Sequence, residues 1–255
     1  LEPRKMIYLL RRELYEFRSS RLLAAFGIFG LLQGVIMFSA RAHGRTEDTI
    51  LVFLIGGLST VITAFDLVAR EREQHTIDLL LTQGVSRTSL FLAKGLTAFL
   101  FSVIGALVFC VATVSGTAIA GYPVLWGDLL PEFGMITWMM GAYAAIALAC
   151  SVIFRRPKTA LIGAMMTWVI LRPTVISLLI IDPIQKAFQL DKNQIWRVVA
   201  FIPEFAFRLG LDINKAAPKD VSIPPAWPYL SLAGYILVFS LLAWLIFLRQ
   251  DEPIQ

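Results

Sequence analysis

Charge is scarce in this chain. Asp, Glu, Lys and Arg make up 16% of its 255 residues and apolar residues 57%, where a soluble domain carries nearer a quarter charged residues. The mean hydropathy is +0.72. These values exclude a water-soluble globule. Cysteine is also scarce: Cys110 and Cys150 both fall inside apolar runs, where they act as small apolar residues and not as a disulfide or metal pair. The two histidines, His43 and His75, lie far apart and on opposite faces of the topology derived below, so they share no metal. The sequence has no H-E-x-x-H, C-x-x-C or serine elbow, which leaves a membrane metalloprotease or thiol enzyme without support. It has no G-x-x-x-x-G-K-[ST], so these residues do not hold ATP as a P-loop ATPase does. No internal repeat, low-complexity tract or cleavable-signal pattern is found; the first apolar run follows a basic amphipathic segment and is too long for a signal.

What is present is a set of long apolar runs. Several reach roughly 20 residues, enough to cross about 30 Å of hydrocarbon. They are continuous, not alternating, which argues against a β-barrel. Helices satisfy their own backbone in lipid, so the fold predicted is all-α, a single polytopic transmembrane domain over residues 1–255. Six spans are expected near 20–40, 49–69, 89–119, 134–154, 159–181 and 227–248. Before them, residues 4–18 form a candidate interfacial helix. Met6, Ile7, Leu10, Leu14 and Phe17 share one arc, and Arg4, Lys5, Arg11, Arg12 and Arg18 take the rest of the circle. A plain charged extension is the alternative.

The net charge of +5 is no nucleic-acid signal, because the basic residues sit at span ends, where they suit anionic lipid headgroups. The N-terminal arm, the 70–94 stretch, Arg155-Arg156-Pro157-Lys158 and Arg249 fall on one side; loops 41–48 and 120–133 carry only Arg41 and Arg45. The positive-inside rule therefore predicts two cytoplasmic termini, most simply in a prokaryotic inner membrane. Segment 182–226 is expected outside, with Ile184, Phe188, Ile195, Val198, Val199, Phe201 and Phe205 making a re-entrant or interfacial helix. Asn214 to Pro225 reads as true loop, and Trp196, Trp227 and Tyr229 as outer headgroup anchors.

Two charges inside spans need an account. Arg172 lies roughly 21 Å into the bilayer from Lys158 at 1.5 Å per residue. It is either a cavity or gate residue, facing polar cargo or Asp182, or a side chain that snorkels to the outer headgroups. Asp66 is either an intrahelical partner of Arg70 at i, i+4 or a proton or ion site, a second cavity or gate candidate beside Arg172. Ala24, Gly27, Gly30 and Gly34 give the first span a small face, and Gly56, Gly57 and Ser59 do so for the second.

The most informative stretch is polar and runs from Arg70 to Lys94 between two apolar spans. Ile77, Leu80 and Leu81 share one face of a short helix over 76–83. Gly84 can take a left-handed cap, and Ser86 can cap the following span. The spacing predicts span, short helix, turn, span. The outer face of the short helix, with acidic neighbours Glu71, Glu73 and Asp78, suits a groove of a soluble partner; an ordinary charged loop is the alternative.

This stretch resembles the signature of the type-2 ABC transporter permeases, roughly E-R-E-x-G-T-L-E-L-L-L-x-x-P-V-S-R. Here it stands as Glu71-Arg72-Glu73-Gln74-His75-Thr76-Ile77-Asp78-Leu79-Leu80-Leu81-Thr82-Gln83-Gly84-Val85-Ser86-Arg87, with His75 for the usual Gly and Gly84 for the usual Pro. A weaker likeness is Phe201-Ile202-Pro203-Glu204-Phe205-Ala206-Phe207-Arg208-Leu209, similar to that family's outer proline-then-F-R-L segment.

The resemblance implies a permease subunit that is not itself an enzyme. It pairs with a second copy, as a homodimer or with a similar permease, and works with two P-loop ATPase subunits that hold ATP and Mg. Helix 76–83 becomes the coupling helix, with Glu71, Arg72, Glu73, Thr76, Ile77, Asp78, Leu80, Leu81, Ser86 and Arg87 as the ATPase-contact set. Transport would be export by alternating access, and an extracytoplasmic accessory protein is a further possible partner. Lipid, peptide, drug, polysaccharide and sulfur- or copper-related cargoes are all compatible. A membrane anchor or assembly factor that recruits a partner is the alternative. A secondary carrier is a weaker one, because neither mid-membrane charge pairs nor a two-fold hydropathy repeat stands out.

Overall fold

The computed structural model describes residues 7–13, 15, 28, 31, 32, 35, 58–121, 126–171, 202, 203, 206 and 226–249. Every regular element among them is helical. We number the helices α1 (Ala69–Glu73), α2 (Thr76–Thr82), α3 (Arg87–Ile119), α4 (Trp126–Ile153), α5 (Pro157–Ile170) and α6 (Trp227–Arg249). Residues 7–13 and 58–64 are also helical.

Three of these helices are long and apolar enough to cross a membrane: α3, the Phe133–Ile153 part of α4, and α6. They fall where the third, fourth and sixth spans are predicted. At 1.5 Å per residue α3 runs to about 50 Å, well beyond the hydrocarbon thickness, so its Arg87 end extends out of the apolar layer or the helix tilts. The other three predicted spans lie partly or mostly outside the described residues, as do Arg172, the predicted loop 214–225 and all of segment 182–226 except Ile202, Pro203, Ala206 and Ala226.

Helix α4 is the centre of the bundle. It packs between α3 and α6 and against α5. From Met139 to Val152 every residue is buried, and the alanines at 142, 144, 145, 147 and 149 let its neighbours approach closely. At Gly141 the approach is near its limit, since an added Cβ would lie 3.2 Å from Ile236 Cδ1 of α6. Helix α6 turns Leu237, Val238, Leu241, Leu242 and Leu245 outward, an apolar face suited to hydrocarbon. Both cysteines are unbridged, and Cys150 is buried in α4. Helix α5 begins with Pro157 in its first turn, where a missing N–H costs nothing.

The second predicted span, 49–69, is not a continuous helix to its end. Residues 58–64 are helical, 65–68 form a turn, and α1 starts at Ala69. The apolar run gives no hint of this elbow, because its cause is a side chain distant in sequence.

Candidate functional site: the elbow and its short helix

Two contacts with α4 hold the elbow. The N–H groups of Val68 and Ala69 both donate to Ser151 Oγ, at 2.9 and 3.0 Å. All three residues are buried, and a buried N–H without an acceptor costs roughly 1–3 kcal/mol. In return, Arg72 of α1 donates through Nη1 to the carbonyl of Val152 at 2.6 Å. That carbonyl belongs to the last turn of α4, where helix carbonyls lack intrahelical partners and a cation suits the dipole. Each helix end thus bonds to the other. The Arg72 guanidinium also lies 5.8 Å from the centroid of the Phe247 ring of α6.

Between α1 and α2 the chain reverses through Gln74 and His75. His75 has φ +55° and ψ +19°, in the left-handed region. The bend the signature makes with glycine therefore forms here with histidine, whose Cβ is unfavourable in that region by about 1–2 kcal/mol. The His75 imidazole is exposed, with Nδ1 3.6 Å from Asp78 Oδ2. His75→Gly is expected to leave the fold intact and to change stability by no more than about 1 kcal/mol in either direction, strain relief offsetting the entropy of an added glycine. His75→Val is expected to be destabilising by more than that, and thermal unfolding of both variants in detergent checks the order.

Helix α2 ends in a Schellman motif. The Val85 N–H bonds to the Leu80 carbonyl and the Gly84 N–H to the Leu81 carbonyl, both at 3.1 Å. Gly84 has φ +76°, the left-handed position the motif needs. Val85 and Leu80 are both buried in one core. Ser86 then caps α3, its hydroxyl accepting from the Ser89 N–H at 3.2 Å.

Beneath the elbow lies a buried charge cluster. Lys94 Nζ donates to Glu13 Oε1 at 2.6 Å and lies 2.9 Å from Glu71 Oε1. Arg12 Nη2 donates to the same Glu71 oxygen at 2.9 Å. Glu13, Glu71 and Lys94 are each 5% exposed or less. Among the described residues two cations and two carboxylates balance, as burial requires. Glu71 Oε2 is buried and receives no hydrogen bond among the described residues. The cluster ties together helix 7–13, α1 and α3. Lys94 and Arg87 are the only charges in α3, and a lone lysine in an apolar helix signals a partner. Neither Lys94, Glu13 nor Ser151 is singled out by the sequence reading.

The residues matched to the signature separate into two sets. Ile77 and Leu80 face the protein's own core, Leu81 packs half-buried against it, and Glu71 is at 3% exposure inside the charge cluster. Glu71, read from the sequence as an acidic neighbour of the short helix's outer face, is instead turned inward and held by two cations. Arg72 is occupied against α4 and α6. The outer surface consists of Glu73, Gln74, His75, Leu79, Thr82, Gln83, Gly84 and Ser86, with Thr76, Asp78 and Arg87 half-buried beside it. Leu79 is the surprise. It belongs to the L-L-L run but points away from the core, 57% exposed. Asp66 is near Arg70, with Oδ2 3.8 Å from Nη1 at i, i+4, as the plain reading expects.

An integral membrane protein whose helical bundle carries, at one end, a short helix set on an elbow with a polar outer face is the class these features define. The chain belongs to the ABC-2 transporter family: the model of the ABC-2 family transporter protein matches residues 12–252. It is thus a membrane-spanning component of a transporter and not its ATPase, and the family works with a separate ATPase subunit. No curated protein matches the chain.

Proposed function

We propose that the chain is the permease subunit of an ABC exporter in a prokaryotic inner membrane, both termini cytoplasmic. Two copies, or one copy and a similar permease, pair in the membrane. Two ATPase subunits, which hold ATP and Mg, dock beneath and drive alternating access. The observation that carries this reading is the outer face of α2. Leu79 stands exposed among Glu73, Asp78, Thr82 and Gln83, on a helix whose opposite face is locked into the core by Ile77 and Leu80. An apolar anchor within a polar rim is how a rigid helix engages a groove. Rigidity matters, because a displacement imposed on α2 must move the spans and not only the loop.

The test is purification in mild detergent of the chain expressed with its genomic neighbours, with ATPase activity assayed on what co-elutes. A stoichiometric P-loop ATPase that falls away when Glu73 and Asp78 are both replaced by lysine is the expected result. Absence of any ATPase would favour an anchor or assembly role instead.

A further inference from the structure

The two-way capping between α1 and α4 has no counterpart in the signature, which contains Arg72 but reveals nothing of what it touches. Helix α1 has five residues, far too few to be stable alone, since isolated helices shorter than about 12–15 residues are marginal. It also starts where the backbone ladder is interrupted: Phe65 and Arg70 N–H groups bond to the carbonyls four residues earlier, whereas those of Val68 and Ala69 go to Ser151. A single hydroxyl on another helix thus takes the place of two ladder acceptors. Without it, residues 58–73 would either leave two buried N–H groups unpaired or rewind into a continuous helix that points α1 and α2 elsewhere.

We propose that Ser151 and Arg72 are positioning residues that fasten the elbow at 65–68 to the end of α4. A displacement of α2 then reaches the central helix of the bundle as one rigid movement, and is not absorbed by the elbow. This rests on reading α2 as the ATPase-facing helix. The place of α4 in the bundle gives the link its reach, since α4 contacts α3, α5 and α6.

Amide hydrogen exchange on the permease–ATPase complex in lipid nanodiscs, with and without ATP and vanadate, tests the proposal. In the wild type, nucleotide should change exchange both in 69–83 and in the last turns of α4. Ser151→Ala and Arg72→Gln should retain the ATPase and the change within α2, yet lose the change in α4. Ser151→Ala should also speed exchange at Val68 and Ala69 by roughly tenfold or more, the consequence of losing their acceptor. Ser151→Thr and Arg72→Lys, which keep a hydroxyl and a cation, should restore the α4 response at least in part; a merely structural role would track melting temperature and not this response. A nucleotide effect in α4 that persists at wild-type size in both Ser151→Ala and Arg72→Gln overturns the proposal. So does loss of the ATPase from Arg72→Gln with the elbow's exchange unchanged, which would make Arg72 a docking residue. Failure of the wild type itself to retain any ATPase would instead defeat the reading of α2 on which the proposal rests.

Discussion

Lys94→Met is expected to destabilise the folded protein by roughly 3–5 kcal/mol, the cost of removing a buried cation that bridges two buried carboxylates. The lysine ammonium is the shared donor between Glu13 and Glu71. Methionine fills similar volume, so the effect isolates the charge from the packing. Arg12 remains 2.9 Å from Glu71 Oε1, but Glu13 loses the 2.6 Å bond from Lys94. Removing both members of one pair should behave differently, because buried ion pairs exchanged for neutral groups are often close to neutral in stability. Lys94→Met combined with Glu13→Gln, which keeps Arg12 paired with Glu71 and the charge balanced, is therefore expected to recover most of the loss. Unfolding in detergent, followed by helical signal against denaturant, measures both. A single-variant cost below about 1 kcal/mol would mean that the cluster is solvated and anchors nothing.

The second large effect separates two adjacent leucines. Leu79→Asp is expected to leave stability within about 0.5 kcal/mol of wild type, as surface changes do. It should weaken retention of the ATPase by roughly 30-fold or more, the effect of removing an anchor worth at least about 2 kcal/mol. Leu80→Asp should lose the partner too, but through the fold. At 6% exposure, Leu80 sits in the core and is the Schellman carbonyl residue, and a carboxylate there costs several kcal/mol. Melting and co-elution measured on the same preparations distinguish the two. If Leu80→Asp melts like the wild type, Leu80 is not where the structure puts it.

Much of this site is legible in the sequence, and the reason is that it is local. Ile77 and Leu80 declare their face by helical spacing, Gly84 declares the left-handed turn, and Ser86 declares the cap. Each involves residues within a few positions of one another. The Asp66–Arg70 pair is legible for the same reason. What escapes is tertiary. Glu71 reads as an outward acid because its partners are 59 residues before it, at Arg12, and in α3 at Lys94. Arg72 reads as a contact for a partner because the Val152 carbonyl is 80 residues away. The elbow at 65–68 is hidden inside an apolar run because Ser151, one hydroxyl in an Ala-rich helix, makes it. Leu79 is the instructive local failure: a run of three leucines fills a helical arc too wide for one core, so one of them must face out, and spacing alone identifies which only once Ile77 and Leu80 are taken as the inward pair.

The measurement that bears most directly on the central claim is photocrosslinking in native membranes, with a photoreactive amino acid placed in turn at Leu79, Leu80 and Leu237. The account predicts an adduct with a P-loop ATPase from position 79, none from the core position 80, and only lipid adducts or a second permease copy from position 237. ATPase adducts from none of the three, or from 237 as readily as from 79, would contradict the claim that the outer face of α2 is where the energy of ATP enters this protein.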